Sequence, residues 1–212
     1  MTPADSFARS VTMITCIVSS PRREGYGALL ASKAMEGAEA AGKEVSVHRL
    51  NDMTSYRQCQ CCESCQRNDA HCVLRDDVTP VLEEIRGAEG LLLCTSVNFN
   101  DTNGLFKLVF DRLFSFLDRN ACSVMPKGKK VGVIVTAGAD DASAERVARE
   151  LEKIMEEHFF CESVGRLTYC TWFMPPGQPV DESVMEEAYA MGARFGQRRS
   201  ELCKYGLPDG HA

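Results

Sequence analysis

What most constrains this chain is the regular exchange of short apolar, β-branched runs for segments of helical spacing. Val11 to Val18 is such a run, closed by Ser19-Ser20-Pro21, and reads as a buried strand entering a loop. Leu29 to Ala41 then carries Ala, Glu, Lys and Met at helical spacing and stops at Gly42, a usual helix terminator. The phrase recurs. Strands are expected at Val45 to Leu50, Gly90 to Thr95, Lys130 to Thr136 and Ser163 to Thr171. Helices are expected at Val78 to Arg86, Leu105 to Leu117, Ala144 to Glu157 and Glu182 to Arg199, with Asp76 and Asp77 favouring the start of the first of these. Parallel strands joined through helices need right-handed crossovers and a sheet covered on both faces. The expected fold class is therefore α/β, a doubly wound five-stranded parallel sheet. Ligands of such sheets bind beyond the carboxyl ends of the strands, so the loops after the first, third and fourth strands should meet at one site.

A length of 212 residues suits one domain at 11–200, with an extension at 1–10, a cysteine-rich insertion at 57–75 and a tail at 201–212. The net charge of -6 provides no field for a nucleic-acid backbone, and no apolar run approaches the roughly 20 residues that span a bilayer. Neither nucleic acid nor membrane is an expected partner. Met1 to Ser10 has no uninterrupted apolar stretch of the secretory kind, and a cytoplasmic location is expected. Pro175-Pro176-Gly177-Gln178-Pro179 interrupts structure before the last helix.

Eleven cysteines in such a chain point to metal, catalysis or burial rather than to disulfides. Cys16, Cys94, Cys122, Cys161, Cys170 and Cys203 are scattered and read as small buried hydrophobes. Cys59, Cys61, Cys62, Cys65 and Cys72 crowd into 14 residues and require a different account. Cys59, Cys62, Cys65 and Cys72 form C-x2-C-x2-C-x6-C, which places three thiolates around one centre and brings the fourth from a longer arm. That arrangement suits a 4Fe-4S cluster, and zinc is the competing occupant. Cys61 leaves the choice between Cys61 and Cys62 open, while His71 reads as a loop residue.

Ser19, Ser20, Arg22, Gly25, Tyr26 and Gly27 lie between the first strand and its helix, where backbone N–H groups and the helix dipole favour an anion. A solvated turn is the alternative. Ser96, Val97, Asn98, Phe99 and Asn100 form a polar loop after the third strand, either contacting a ligand or leading to Asn103 as a helix cap. Thr136 and Gly138 occupy the corresponding loop after the fourth strand, where glycine permits close backbone approach. Asp140 and Asp141 favour the N-terminus of the next helix. Phe106, Phe110, Phe114 and Leu117 recur at helical spacing as a core stripe first and an interface second, and Lys107 and Arg112 read as surface or subunit-contact charges.

Ser20-Pro21-Arg22, Asp76-Asp77, Gly104, Lys107 and Asp111-Arg112, in that order, resemble the NADPH-dependent FMN reductase and iron-sulfur flavoprotein group of the flavodoxin-like superfamily, over about Val11 to Glu157. The first loop of that group usually reads Gly-Ser-Pro-Arg and then Gly-Asn-Thr; here Ser19 replaces the first glycine and Tyr26-Gly27 replaces Asn-Thr. Asn98 stands where an aromatic residue often stacks on the isoalloxazine, with Phe99 beside it. The resemblance implies an FMN oxidoreductase that binds its flavin through the three loops, with NAD(P)H as a possible donor. It also implies a 4Fe-4S cluster on the cysteine loop, a small-molecule or protein redox partner, and a homodimer or homotetramer. Cluster-free members keep free thiols there. No catalytic side chain is expected, since His48, His71, His158 and His211 form no nucleophile arrangement. The rival readings are a non-catalytic electron carrier and a flavin-free metal-binding or interaction module.

Overall fold

The computed structural model describes residues 13–138, 140–171 and 177–197. The chain runs β1 (Met13–Val18), α1 (Tyr26–Ala40), β2 (Glu44–Arg49), α2 (Val78–Gly87), β3 (Gly90–Asn98), β4 (Asp101–Thr102) and α3 (Gly104–Asp111). It continues through β5 (Lys130–Ala137), α4 (Asp141–Phe159), β6 (Glu162–Cys170) and α5 (Glu182–Ala193). The strand order is β2-β1-β3-β5-β6, every pair along this path is parallel, and β4 pairs antiparallel with β3 off the path.

Successive residues of a strand face opposite sides. On one side, Ile17, Leu91, Leu93, Val131, Val133 and Val135 pack beneath α2, α3 and α4. On the other, Ile14, Cys16, Val18, Leu92, Cys94 and Ile134 pack beneath α1 and α5. Both faces are covered, which is why the central strands read as continuous apolar runs. The backbones of α1 and α5 touch. A Cβ on Gly192 would lie 1.7 Å from Ala34 O, and one on Gly37 would lie 2.0 Å from Tyr189 O.

Several boundaries differ from the sequence reading. Helix α1 starts at Tyr26 rather than Leu29, because the extended backbone of Gly25 ends the loop before the apolar spacing becomes visible. The expected polar loop Ser96 to Asn103 is largely a hairpin: β3 runs on to Asn98, and the added β4 makes the sheet six-stranded. The helix expected through Leu117 changes to a 3₁₀ turn over Arg112–Phe116. Helix α5 ends at Ala193 and is followed by a 3₁₀ turn, Arg194–Gly196. Val11, Ala139, Pro175, Pro176, Arg199 and Cys203 lie outside the described residues. Among the described residues no helix is long and apolar enough to cross a membrane.

Candidate functional site

The strand order changes direction between β1 and β3, the switch point at which a doubly wound sheet binds its ligands. Ser19 is buried there. Its Oγ lies 3.2 Å from both Cys94 O and Thr95 Oγ1, and its N–H donates to Cys94 O. Asn103 Nδ2 donates to Ser19 Oγ, Ser19 O and Ser96 Oγ at 2.7, 3.2 and 3.1 Å. The same side chain caps α3 by accepting the Phe106 N–H at 2.9 Å. One asparagine thus ties two strand ends to a helix start; sequence reasoning found the cap and missed the tie.

Above this tie, the loop at Ser20 to Gly25 folds back on itself. Ser20 Oγ donates to Arg22 O, the Gly25 N–H also donates to Arg22 O, and Asn51 Nδ2 holds Ser20 O. Both serine hydroxyls are therefore engaged within the protein, while Arg22 is exposed. The N-terminus of α1 has no side-chain cap, and its first turn presents the N–H groups of Tyr26, Gly27 and Ala28 ahead of the Leu29 N–H to Gly25 O bond. The glycines flank that turn closely: a Cβ on Gly25 would lie 2.6 Å from Ser20 Oγ, and one on Gly27 would lie 3.2 Å from Cys94 Sγ. Burial pushes the Cys94 thiol up to about 12, and it donates to Gly27 O rather than acting as a nucleophile.

The hairpin after β3 turns at Phe99 and Asn100, whose φ values are 49° and 63°. Two successive positive φ values make the tight turn that suits a twisted β-ribbon, yet asparagine and glycine are the usual residues for it. Phe99 is strained there and fully exposed at the tip, next to exposed Asn98. Arg146 on α4 donates to Asn100 O and holds the tip in place. Thr136 lies within β5 rather than in the loop after it and faces Gly27; in that loop Gly138 is exposed with open space where a side chain would be, and Asp140 caps α4 through the Ser143 N–H. Tyr26 donates to Gln178 O and packs against Tyr169 at 5.4 Å between ring centroids, which brings the segment before α5 to the same end of the sheet.

The cysteine loop leaves β2 and returns to α2, with both ends fastened by the adjacent carboxylates. Asp77 Oδ2 accepts the Thr54 and Ser55 N–H groups at 2.7 and 2.8 Å. Asp76 accepts the N–H groups of Arg57 and Val78, and Arg112 Nη1 and Nη2 reach its two oxygens at 2.9 and 3.3 Å. This corrects the reading of Arg112 as a surface charge: its side chain is 0% exposed and that of Asp76 is 1% exposed. Lys107 does lie at the surface, paired with Asp111. The signal for Arg112 was its place on the stripe of Phe106, Val109, Leu113 and Phe116, all buried, whereas Phe114 is exposed and Phe110 and Leu117 are half-buried.

Within the loop, Cys61, Glu63, Asp69 and Ala70 have positive φ, so the chain curls tightly. Cys59, Cys62, Cys65 and Cys72 all line one small cavity, together with Arg112 and Ser115. Cys61 and Cys62 are both exposed, and of the two it is Cys62 that belongs to that lining. Burial raises the Cys59 and Cys65 pKa values, and Ser64 beside Cys62 lowers that of Cys62. Among the described residues no three His, Cys, Asp or Glu side chains close on a point at metal-ion distance. His71 belongs to the loop, 2.8 Å from Glu83. Of the scattered cysteines, Cys16, Cys94 and Cys161 are buried as expected, Cys170 is half-buried, and Cys122 is exposed in the turn after α3.

Comparison with known proteins agrees with this arrangement. An iron-sulfur flavoprotein of Methanosarcina thermophila is 24% identical over 68% of this chain and 73% of its own. Across other iron-sulfur flavoproteins the matched share of the relative's length ranges from 49% to 77%. The fold is also that of an NAD(P)H:quinone oxidoreductase from Methanothermobacter marburgensis, with TM-score 0.60 and 20% identity over 87% of this chain and 97% of that one. An archaeal flavodoxin superposes with TM-score 0.54 and 14% identity over 91% and 99% of the two chains. Residues 12–169 match the NADPH-dependent FMN reductase family. That match spans most of the sheet and the loops at its carboxyl end, and the chain accordingly belongs to this family of flavin oxidoreductases.

Proposed function

We propose that the chain binds FMN at the carboxyl ends of β1, β3 and β5 and transfers electrons between NAD(P)H and a small-molecule or protein acceptor, through a 4Fe-4S cluster on Cys59, Cys62, Cys65 and Cys72. The observation that carries the flavin half is the uncapped α1 N-terminus at the switch point between β1 and β3, where three backbone N–H groups can receive a phosphate. Gly25 and Gly27 let the loop and the first turn of α1 pack closely on Ser20, Cys94 and Thr136, and Arg22 adds a cation at the exposed rim. Ser19 serves instead as a strut beneath the site, and so does the Asn103 amide. Asn98, Phe99 and Asn100 supply polar groups and an aromatic face for the isoalloxazine, while Thr136 at the end of β5 and Gly138 just after it border the ring. FMN supplies the chemistry, accepting two electrons and releasing them singly, while the protein positions it.

Four thiols on one cavity, with the spacing of the motif and the likeness to iron-sulfur flavoproteins, support the cluster. We extend the proposal to a homodimer or homotetramer in the cytoplasm, which light scattering and fractionation test. For the central claim, anaerobically purified protein should release FMN, bleach on adding NADPH, and contain iron with acid-labile sulfide. FAD or no flavin after reconstitution defeats the flavin reading; a flavin that NADPH does not bleach favours the electron carrier. Cys65→Ala and Cys72→Ala should lose iron and sulfide together yet keep FMN, while Cys61→Ala should lose neither. Zinc, or thiols without metal, defeats the cluster.

A further inference from the structure

The 3₁₀ turn at Arg112–Phe116 has a consequence for the cysteine cavity. A 3₁₀ helix has three residues per turn, so positions three apart eclipse one another on one face. Arg112 and Ser115 are such a pair, and both line the cavity that Cys59, Cys62, Cys65 and Cys72 line from the loop. Arg112 is 1% exposed and Ser115 is 3% exposed. Each of these two lining residues carries a buried polar atom without a hydrogen-bond partner among the described residues: Arg112 Nε and Ser115 Oγ. The rest of the guanidinium is accounted for, since Nη1 donates to Arg57 O and Nη1 and Nη2 bind Asp76. A buried donor left unmet keeps the whole cost of its desolvation with nothing to offset it. Two such donors, on residues that line one cavity, leave room for an acceptor held there by the cysteines.

We propose that Arg112 Nε–H and Ser115 Oγ–H donate hydrogen bonds to the sulfur atoms of the cluster held by the four cysteines, and thereby raise its reduction potential. The inference rests on the cluster reading above. A thiolate-bound iron-sulfur centre is anionic, its sulfurs accept hydrogen bonds, and those bonds together with net charge and solvent exposure set its potential. The donors face the more negative reduced form more favourably than the oxidised one, so they favour reduction. Asp76 complements them by neutralising the guanidinium and fixing its plane, so that Nε is left for the cavity while Nη1 and Nη2 hold the loop ends. Arg112 and Ser115 act on the potential through the cluster's surroundings and take no part as ligands.

The test is an anaerobic redox titration followed by electron paramagnetic resonance, on wild type, Ser115→Ala and Arg112→Lys, with iron and sulfide measured in each. Ser115→Ala should retain wild-type iron and sulfide while its reduction equilibrium shifts about tenfold toward the oxidised form, or about 59 mV for a one-electron couple. Arg112→Lys keeps the positive charge but loses the Nε–H, and should shift in the same direction. If both variants hold the cluster at the wild-type potential, the proposal is overturned while the cluster reading stands. If wild type itself contains no iron and sulfide, both fall together, and the two failures are told apart by the wild-type analysis alone. Should Arg112→Lys fail to fold, as judged by circular dichroism, the Ser115→Ala potential decides.

Discussion

Asp76→Ala removes one carboxylate and with it five hydrogen bonds: two from Arg112, two from the N–H groups of Arg57 and Val78, and one from the Thr79 hydroxyl. The guanidinium left behind is wholly buried and cannot turn to water. Breaking a buried pair on one side costs about 3–5 kcal/mol, a large part of the roughly 5–15 kcal/mol that holds a domain together. At about 2–4 °C per kcal/mol for a chain of this size, the midpoint of thermal unfolding should fall by roughly 6–20 °C. Arg112→Met alone leaves the carboxylate with its two backbone donors and should cost about 1.5–3 kcal/mol. Combining the two changes removes the uncompensated charge, so the double variant should cost less than the sum of the singles by about 1.5–3 kcal/mol. Urea unfolding at pH 7 measures all four proteins. Additivity within about 0.5 kcal/mol would refute the coupling.

The same pair predicts a pH dependence. Burial pushes the Asp76 pKa up, but Arg112 and the N–H groups of Arg57 and Val78 outweigh it and hold the carboxyl below its ordinary value. A group depressed in the folded state stabilises fully above its unfolded pKa, about 3.9 for aspartate, and loses that contribution as pH falls through the folded value. The gap between wild type and Asp76→Ala should therefore be constant from pH 7 to about pH 5 and narrow below about pH 4. A gap that stays constant into acid would show that the carboxylate is not what the arginine requires.

Three further outcomes follow from the geometry. Gly25→Ala places its Cβ 2.6 Å from Ser20 Oγ, crowds the loop before the α1 N-terminus, and should weaken FMN binding about tenfold with little loss of fold, as read by flavin fluorescence titration. Gly192→Ala places a Cβ 1.7 Å from Ala34 O, where only separation of α1 and α5 can relieve it; a loss of about 3 kcal/mol or more is expected in urea unfolding, and a loss below about 1 kcal/mol would contradict the packing. Asn103→Asp keeps the acceptor that caps α3 but turns a carboxylate oxygen toward Ser19 O in place of the donating amide; it should destabilise by about 1–3 kcal/mol, with the loss growing as the carboxyl ionises.

Sequence reasoning succeeded where a feature is local. Strand and helix placement follows from period, and the caps at Asn103 and Asp140 follow from residues three positions apart. The spacing along one loop likewise picks out four cysteines that line one cavity. It failed where a partner lies far along the chain. Ser19 reads as a phosphate donor until β3 places Cys94 O and Thr95 against it, and Asn98 reads as loop until Asp101 folds back to pair with it. Arg112 is the instructive failure, because its partner lies 36 residues away yet its burial was written locally. It follows Val109 by three positions and precedes Phe116 by four, inside a stripe that is otherwise apolar. A cation on a buried stripe requires a buried anion, since an unpaired charge there would cost more than the fold can spare. The acidic pair that closes the cysteine loop, Asp76 and Asp77, directly precedes a helix whose residues Val81, Leu82 and Ile85 share the core beneath α3. Charge balance, applied to that stripe, selects the end of the cysteine loop as the place where Arg112 docks.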